Sequence, residues 1–393
     1  MKLHKITAAI LAGCLLLGGC QSGDTDDTAN TPANQNPTQF MDCILPMPIV
    51  GELSKDCWGA KEVGTRDQDN GIEDKELDNP DAPGTRYCYW DGAILKDDET
   101  GKYYMFASRW EESGGHWSWM FSKAIYATSD NLYGPYEDQG LCYPDIGSGD
   151  GHNVFPFKLA EGEEYNGKSV KYGIVLGDTA NDSLRGGILV SDSLEGPWEL
   201  VGKMQIKPGK ASGGIFDLSN IGIIVTPDNT YYAYNRNGDI ATADSIEGPW
   251  YTQVRNLWNL LPELTGHGDV EDPIMWYGND CYNCVVNRWD EKKAYYMTSK
   301  DGIHGWRVYD GAAYMPDAEF TRYEDGTTNH WEKIERPNIY MEDGEIKAMT
   351  FAVIDVPKDE ELGGDGHGSK VIVIPFDYEA LKKLNENCAP AAY

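Results

Sequence analysis

Ionisable and polar side chains stand directly before short apolar runs at five places in the chain. A single Asp or Asn in such a position commonly caps a turn, but the repetition suggests that the five groups face one shared site. Two acids from different groups, such as Asp91 and Glu271, could act as a pair in which one carboxyl donates a proton and the other is ionised. The five groups are 90–91, 150–153, 217–220, 267–272 and 335–336.

The neighbours of these two carboxyls bear on which of them keeps its proton. Glu271 lies beside Asp269 and Asp272, and a nearby negative charge raises a carboxyl pKa. A cation lowers one, so either Arg288 or Arg336 could hold Asp91 ionised. The sequence therefore predicts a protonated Glu271 and an ionised Asp91.

The chain that carries these groups repeats. Four segments pass from a strand-like run through Ser or Ala near an Asp and a glycine turn to an aromatic residue, with turn glycines spaced by 62, 52 and 57 residues. A period of roughly 50 to 60 residues built from short strands is typical of a propeller. A fifth, less regular unit spans 335–376. The turn glycines are Gly134, Gly196, Gly248 and Gly305.

Each unit offers about four strand-like runs, enough for one propeller blade. We therefore predict an all-β fold, a five-bladed β-propeller of four-stranded antiparallel blades, with segment 43–53 adding a strand that closes the ring. A pair of β-sandwiches is the alternative. Because inner strands begin beside the central channel, the five polar groups would meet at one end of it.

The first 40 residues indicate an export signal and a tether. The apolar run 6–19 follows two lysines and is too short for a permanent transmembrane helix. It ends in Leu-Gly-Gly-Cys, similar to a bacterial lipobox, which implies lipidation of Cys20; an ordinary secretory signal is the alternative. We predict a signal peptide at 1–19, a lipidated Cys20 with a flexible linker at 20–40, and the propeller at 41–393. With Gln21 after Cys20, the resemblance implies an outer-membrane lipoprotein, anchored only by its lipid.

Charge and cysteine content narrow the partners. The chain has 33 basic and 64 acidic residues, a net charge of −31, which argues against nucleic acid and anionic lipid surfaces as partners. Of nine cysteines, seven would remain after Cys14 and Cys20, so at least one thiol is expected to be free. Cys281 and Cys284 should point to opposite faces of a strand and are predicted to be packing residues.

The motifs within these units resemble the five-bladed β-propeller glycoside hydrolases of families 43, 62, 32 and 117, over roughly residues 86 to 378. YWDGAIL, followed by KYYMFAS, is similar to their base motif and implies a base at Asp91. VEDPIMWYGNDCYNCVVN is similar to the motif around their proton donor and implies an acid at Glu271. SNIGIIVTPDNTYYAY is similar to the blade with a second acid, but this chain has Asn220 there, and Asp217 could substitute for it.

The resemblance implies an exo-acting, inverting hydrolase of plant or algal oligosaccharides, with carboxyls separated by about 6.5–9.5 Å. His267 is an alternative donor, because a histidine near the equivalent Glu has the acid role in family 117. No cofactor is required, and a structural calcium ion in the central channel is the one metal expected, with His367 as its ligand. The residues expected to contact substrate are Trp90, Arg109, His152, Asn153, Asn220, Arg236, His267, Arg288, Glu335 and Arg336.

Two other functions compete with hydrolysis. A polysaccharide lyase acting on uronate-containing glycans would need a His or Tyr base and a cation for the uronate, for which His152, Tyr282 and the arginines are available. A non-catalytic glycan-binding propeller is favoured by Asn220, where the second acid is expected. The Asp91 and Glu271 pair favours hydrolysis over both.

Overall fold

The computed structural model describes residues 39–48, 72–73, 87–178, 184–211, 216–266, 269–316, 321–326, 328, 331–364 and 367–386. The predicted signal peptide, Cys20, almost all of the predicted linker and His267 lie outside the described residues. Within the described part of the chain, no helix is both long enough and apolar enough to cross a membrane.

Blades one and two follow one another along the chain, and each runs from an innermost to an outermost strand. In blade one the spatial order is β2-β3-β4-β5-β1, with β1 added parallel to β5; in blade two it is β6-β9-β10-β11. The strands of blade one are β1 (Ile72–Glu73), β2 (Tyr87–Lys96), β3 (Tyr103–Glu111), β4 (Lys123–Ser129) and β5 (Tyr136–Leu141). Those of blade two are β6 (Val154–Lys158), the small hairpin β7 (Glu164–Tyr165) and β8 (Lys168–Ser169), β9 (Tyr172–Leu176), β10 (Gly187–Ser191) and β11 (Glu199–Lys203).

Blades three to five complete the ring. Blade three has the order β13-β14-β15-β16 with β12 parallel to β16 at its outer edge; blade four runs β17 to β20, and blade five has three strands. Their strands are β12 (Ile206–Pro208), β13 (Gly222–Val225), β14 (Tyr231–Tyr234), β15 (Ile240–Ala243), β16 (Trp250–Val254), β17 (Val270–Gly278), β18 (Cys281–Arg288), β19 (Lys293–Ser299), β20 (Arg307–Val308), β21 (Lys333–Glu342), β22 (Glu345–Ile354) and β23 (Ser369–Pro375).

Helical structure is short. The helix α1 (Tyr378–Glu386) follows blade five, and the other helical elements of the described residues are 3₁₀ segments of three to six residues. These segments are Phe40–Cys43, Glu112–Gly114, His116–Phe121, Gly147–Gly149, Leu257–Leu260 and Trp289–Glu291.

The core lies between the blades. All eight residues of β18 are buried, because a central strand is covered by a neighbouring blade on both faces. By contrast the outer strand β5 alternates buried and exposed residues. Between blades two and three, Val175 and Ile188 pack in one cluster with Ile223 and Ala233. Blade-on-blade packing thus fixes where each inner strand begins.

The prediction of a five-bladed all-β propeller is confirmed, with differences in strand number. Blades one and three gain a parallel edge strand, and blade five has three strands. The segment predicted to close the ring lies beside β23, where Leu45 N–H donates to the Pro375 carbonyl at 2.9 Å and Ile44 forms an isolated bridge with Phe376. It supplies single bridges instead of a full strand, and residues 49–53 lie outside the described part.

Local sequence explains the repeated turns and the cysteines. The four turn glycines have φ values of 85°, 84°, 79° and 59°, in the left-handed region that glycine adopts without steric cost. The five cysteines among the described residues are all buried. Cys281 and Cys284 are both among them, as the prediction of packing residues requires.

Candidate active site

The inner strands of the five blades share a left-handed residue at their channel end. Asn and Asp tolerate this region better than other non-glycine residues, which explains four of the five. In blades one, four and five the strand pairing shifts register next to this residue. The five residues and their φ values are Asp91 (71°), Asn153 (57°), Asn220 (45°), Asp272 (55°) and Arg336 (52°).

These five side chains form a closed polar ring, called here the channel ring. Asn153 Nδ2 donates to Asn220 Oδ1 at 2.8 Å, and Asn220 Nδ2 donates to Asp272 Oδ1. Arg336 donates from Nη1 to Asp272 Oδ1 at 3.0 Å and from Nε to Asp91 Oδ1 at 2.8 Å. The backbone N–H of Val154 donates to Asp91 Oδ2 at 3.3 Å and closes the ring.

Arg336 supplies the positive charge of the channel ring. Burial lowers the pKa of Arg336, but attraction to Asp91 and Asp272 outweighs burial, so its pKa is raised and the guanidinium stays charged. Of the two arginines considered for Asp91, Arg336 is thus the partner. Asp91 is fully buried and also accepts a hydrogen bond from the Ser108 hydroxyl.

The predicted calcium ion does not fit the described residues. The oxygens that a hard cation would prefer in the channel, those of Asp91 and Asp272, are already held by the guanidinium of Arg336. The predicted ligand His367 contacts Asp355, with 2.8 Å between Nδ1 and Oδ2. Among the described residues, no group of three or more His, Cys, Asp or Glu side chains is arranged to hold a metal ion.

A cavity of about 310 Å³ has the channel ring as its floor. Four ring members line it, all except Asp91, and the residue immediately before a ring member lines it in four blades. The wall residues are Trp90, Trp110, His116, Trp117, Trp119, His152, Asp178, Arg236, Glu271, Glu335 and Lys358. A larger cavity of about 770 Å³ at the other ends of the inner strands has an apolar wall that includes Ile94, Ile223 and Ile274.

Glu271 is the carboxyl of this cavity whose pKa fits proton donation. Burial raises its pKa, the charge of Asp272 raises it further, and Arg236 opposes both; the result is a pKa of about 7. Arg236 Nη2 lies 2.7 Å from Glu271 Oε2, but the Arg236 side chain is 42% exposed, so solvent screens its charge. Glu271 therefore keeps its proton up to about neutral pH.

Two neighbouring acids beside Glu271 are held by cations. Burial raises the pKa of Asp272, and Arg336, which donates a hydrogen bond to Asp272, opposes this rise. Burial also opposes ionisation of Glu335, but Lys358 and Lys333 outweigh burial and lower its pKa. Lys358 Nζ lies 2.5 Å from Glu335 Oε2.

Aromatic rings and neutral histidines form the rest of the wall. Burial lowers the pKa of His152 to about 4 and that of His116 to about 3, so both imidazoles are neutral near neutral pH. The ring centroids of Trp119 and His152 lie 4.6 Å apart. Trp117 stands at the rim and is 53% exposed. Such faces can stack on the apolar face of a ligand ring.

Most predicted contact residues meet in this cavity. Asp91 belongs to the channel ring but does not reach the cavity surface. In the structure it binds Arg336, and its role as base stays a prediction. The predicted residues that line the cavity are Trp90, His152, Asn153, Asn220, Arg236, Glu271, Glu335 and Arg336.

Three predicted residues lie elsewhere, and this corrects the sequence prediction. Arg109 is buried, pairs with Asp138 at 2.6 Å and lines a separate cavity. Arg288 pairs with Asp290 at 3.0 Å. Asp217 accepts from the Ser219 backbone N–H at 3.0 Å and from Asn237 Nδ2 at 3.2 Å, an Asx-type turn, so it does not replace the second acid.

Sequence reasoning missed several residues of the wall. Asp178 and Lys358 come from loops that follow β9 and β22, and no periodicity marks them. The turn HWSWMF at 116–121 supplies three wall residues, and its density of aromatic side chains outside a strand was the available signal. Asp272 was predicted only as a neighbour that raises the pKa of Glu271, and its place in the channel ring is the register equivalent of Asp91.

Comparisons with known proteins give structural neighbours only. No protein-family model matches the sequence, and no curated protein matches it. Solved structures similar to the chain include Zg3597, a family 117 glycoside hydrolase of Zobellia galactanivorans, at 15% identity, with 78% of this chain and 89% of that one covered and a TM-score of 0.47.

Two further solved structures are similar. The α-L-arabinofuranosidase PaAbf62A of Podospora anserina is 11% identical, with coverage of 77% and 95% and a TM-score of 0.49. A family 43 arabinoxylan arabinofuranohydrolase of Bacillus subtilis is 14% identical, with coverage of 75% and 64% and a TM-score of 0.44. Families 117 and 43, to which two of these structures belong, are among the families that the motifs resemble. With TM-scores below 0.5, they assign neither a substrate nor a catalytic residue to this chain.

Proposed function

We propose that this chain is an exo-acting glycoside hydrolase in which Glu271 is the general acid. The observation that carries the proposal is the pKa of about 7 for Glu271 in a cavity with tryptophans on its wall. Glycoside cleavage needs one carboxyl that keeps its proton near neutral pH and one that is ionised. A cavity with a closed floor favours attack at a chain end.

The chemistry follows from the two protonation states. Glu271 donates its proton to the glycosidic oxygen as the bond from that oxygen to the anomeric carbon breaks. An ionised carboxylate on the other side takes a proton from the attacking water, which inverts the anomeric carbon. The hydrogen bonds of the channel ring hold the cavity floor rigid, so the acid and the base are already in position when the substrate binds.

The charges in the cavity favour neutral sugars of plant or algal oligosaccharides. Two cations of the cavity have ionised carboxylate partners: Arg336 pairs with Asp91 and Asp272, and Lys358 with Glu335. At either of them a uronate carboxylate would have to displace an acid, which disfavours the lyase alternative. Arg236, whose partner Glu271 is the protonated acid, and the neutral His152, which is placed to act as a base, favour it.

A glycan-binding propeller without activity is the second candidate. Two observations favour it: Asp91 is fully buried, and Asn220 occupies the position of the second acid. The same tryptophan wall would bind a sugar without cleaving it. Hydrolysis and binding therefore differ only in whether the carboxyls act.

A panel of plant and algal oligosaccharides distinguishes the three functions. The purified protein is incubated with each, and both new reducing ends and the absorbance of unsaturated uronates are recorded. We expect reducing ends without new absorbance. New absorbance would establish a lyase, and binding without turnover would leave the glycan-binding propeller.

The pH dependence of this activity should report Glu271. Because the acid must be protonated, kcat/KM is expected to fall as pH rises through about 7. Arg236 lowers the pKa of Glu271, so Arg236→Gln should move this alkaline limb to higher pH. The exposed Arg322→Gln should leave it in place. If Arg236→Gln left the alkaline limb in place, the limb would not report the titration of Glu271.

We also propose that the protein is an outer-membrane lipoprotein anchored through Cys20, supported by the sequence LGGC at 17–20. The wild type should partition into the detergent phase of a Triton X-114 extract, and Cys20→Ala should move it to the aqueous phase. Equal partitioning of both would contradict the anchor.

A further inference from the structure

Inverting hydrolysis needs a carboxylate that reaches water, and the described acids differ in this respect. Asp91 is fully buried below the cavity surface. The side chains of Asp272 and Glu335 are 4% and 5% exposed, and each is already bound by cations. All three are nearly enclosed and engaged by cations, so they are poorly placed to bind and activate a water molecule. The attacking water must therefore be activated by another group.

Asp178 is the remaining carboxylate on the wall, and it is as accessible as the acid. Its side chain is 17% exposed, against 18% for Glu271. Asp178 follows β9 in blade two, whereas Glu271 opens blade four. Blade three lies between them in one direction around the propeller, and blades five and one lie between them in the other. The two carboxyls thus enter the cavity from well-separated sides. An inverting pair requires this arrangement, because water and the sugar must fit between the carboxyls.

The channel ring also fixes the orientation of Asp178. Asn153 Nδ2, which donates to Asn220 in the ring, donates to Asp178 Oδ2 at 2.5 Å. The backbone carbonyl of Asp178 accepts from the His152 N–H at 2.9 Å. Oδ1 faces Arg185 Nη2 across 3.7 Å, a distance too long for a direct hydrogen bond. As far as the described residues go, Oδ1 is therefore available to a water.

We infer that Asp178 is the base of the reaction, an assignment that rests on the proposed function. Asp178 takes one proton from the water as the water oxygen bonds to the anomeric carbon. At the same time the bond from that carbon to the glycosidic oxygen breaks, and the leaving alcohol receives the proton of Glu271. The products are the alcohol and the sugar with inverted configuration, and solvent then restores both carboxyls.

Azide rescue tests this assignment directly. Asp178→Ala should lower kcat about 10²–10⁴-fold on the oligosaccharide cleaved by the wild type. Sodium azide needs no base, so it should restore turnover and give a glycosyl azide of inverted configuration. Asp192 is an exposed aspartate of the same blade. As the control, Asp192→Ala should keep full activity and form no azide product. Asp178→Asn is the matched variant should the alanine variant fail to fold, and circular dichroism checks both.

Each other outcome overturns the assignment in a recognisable way. Full activity of Asp178→Ala, or of Asp178→Asn if only that variant folds, would exclude Asp178 as the base. Azide rescue of Asp91→Ala in its place would return the role to Asp91. Both results would leave the proposed hydrolysis standing. A wild type that cleaves nothing in the panel would overturn the function itself, and the base with it.

Discussion

Glu271→Gln should lower kcat on unactivated oligosaccharides by about 10²–10⁴-fold. Gln has the shape of Glu and can still meet Arg236, but it has no acidic proton to give the leaving oxygen. The effect should fall on kcat more than on KM, because proton transfer occurs in the transition state. Together with the loss expected for Asp178→Ala, this is the largest expected effect on activity.

The leaving group separates a lost acid from a damaged cavity. A dinitrophenyl glycoside of the same sugar departs without a proton, so Glu271→Gln should cleave it at close to the wild-type rate. The variant should also lose the alkaline limb near pH 7. Glu247→Gln, at an exposed position of blade three, is the control and should match the wild type. Equal slowing on both substrates would contradict the assignment of Glu271 as acid.

Arg336→Met is expected to cause the largest loss of stability, about 3–5 kcal/mol in the free energy of unfolding. Arg336 is the cation between Asp91 and Asp272, with Nε and Nη1 at 2.8 and 3.0 Å from their oxygens. Met fills a similar volume but leaves two carboxylates buried without a cation. The cost is the uncompensated charge, and urea denaturation measures it.

Neutralising the acids should recover part of this loss. In the triple variant Arg336→Met with Asp91→Asn and Asp272→Asn, no unpaired charge remains, so its unfolding free energy should exceed that of Arg336→Met alone. Arg322 is exposed, so Arg322→Gln should change the free energy of unfolding by less than about 0.5 kcal/mol. If Arg336→Met proved as stable as this control, the channel ring would not depend on the ion pairs.

The repeat and the polar strand starts could be predicted because they follow one period along the chain. The five ring residues were all among the predicted polar groups. What the sequence could not show is which residue of each group faces the cavity. The left-handed residue enters the channel ring, and in four of the five blades the residue before it forms the wall. Asp91 and Glu271 therefore occupy different places, although both appear as strand-start acids.

The residues placed wrongly or missed have a common physical reason. Arg109 and Arg288 follow inner-strand pairs, but each pairs with an acid, Asp138 or Asp290, so neither charge is directed to the cavity. Asp178 and Lys358 reach the cavity from loops, where no alternation pattern gives a direction. Tertiary packing, which a single sequence does not encode as a local pattern, decides both cases.

The most direct test of the account is a proton NMR time course of the first product formed from the oligosaccharide that the panel identifies. With Glu271 as acid and a carboxylate on the other side activating water, the first anomeric signal should have the configuration opposite to the substrate. Signal of the original configuration, appearing first and mutarotating later, would contradict this mechanism, because retention requires a covalent intermediate on a nucleophilic carboxylate.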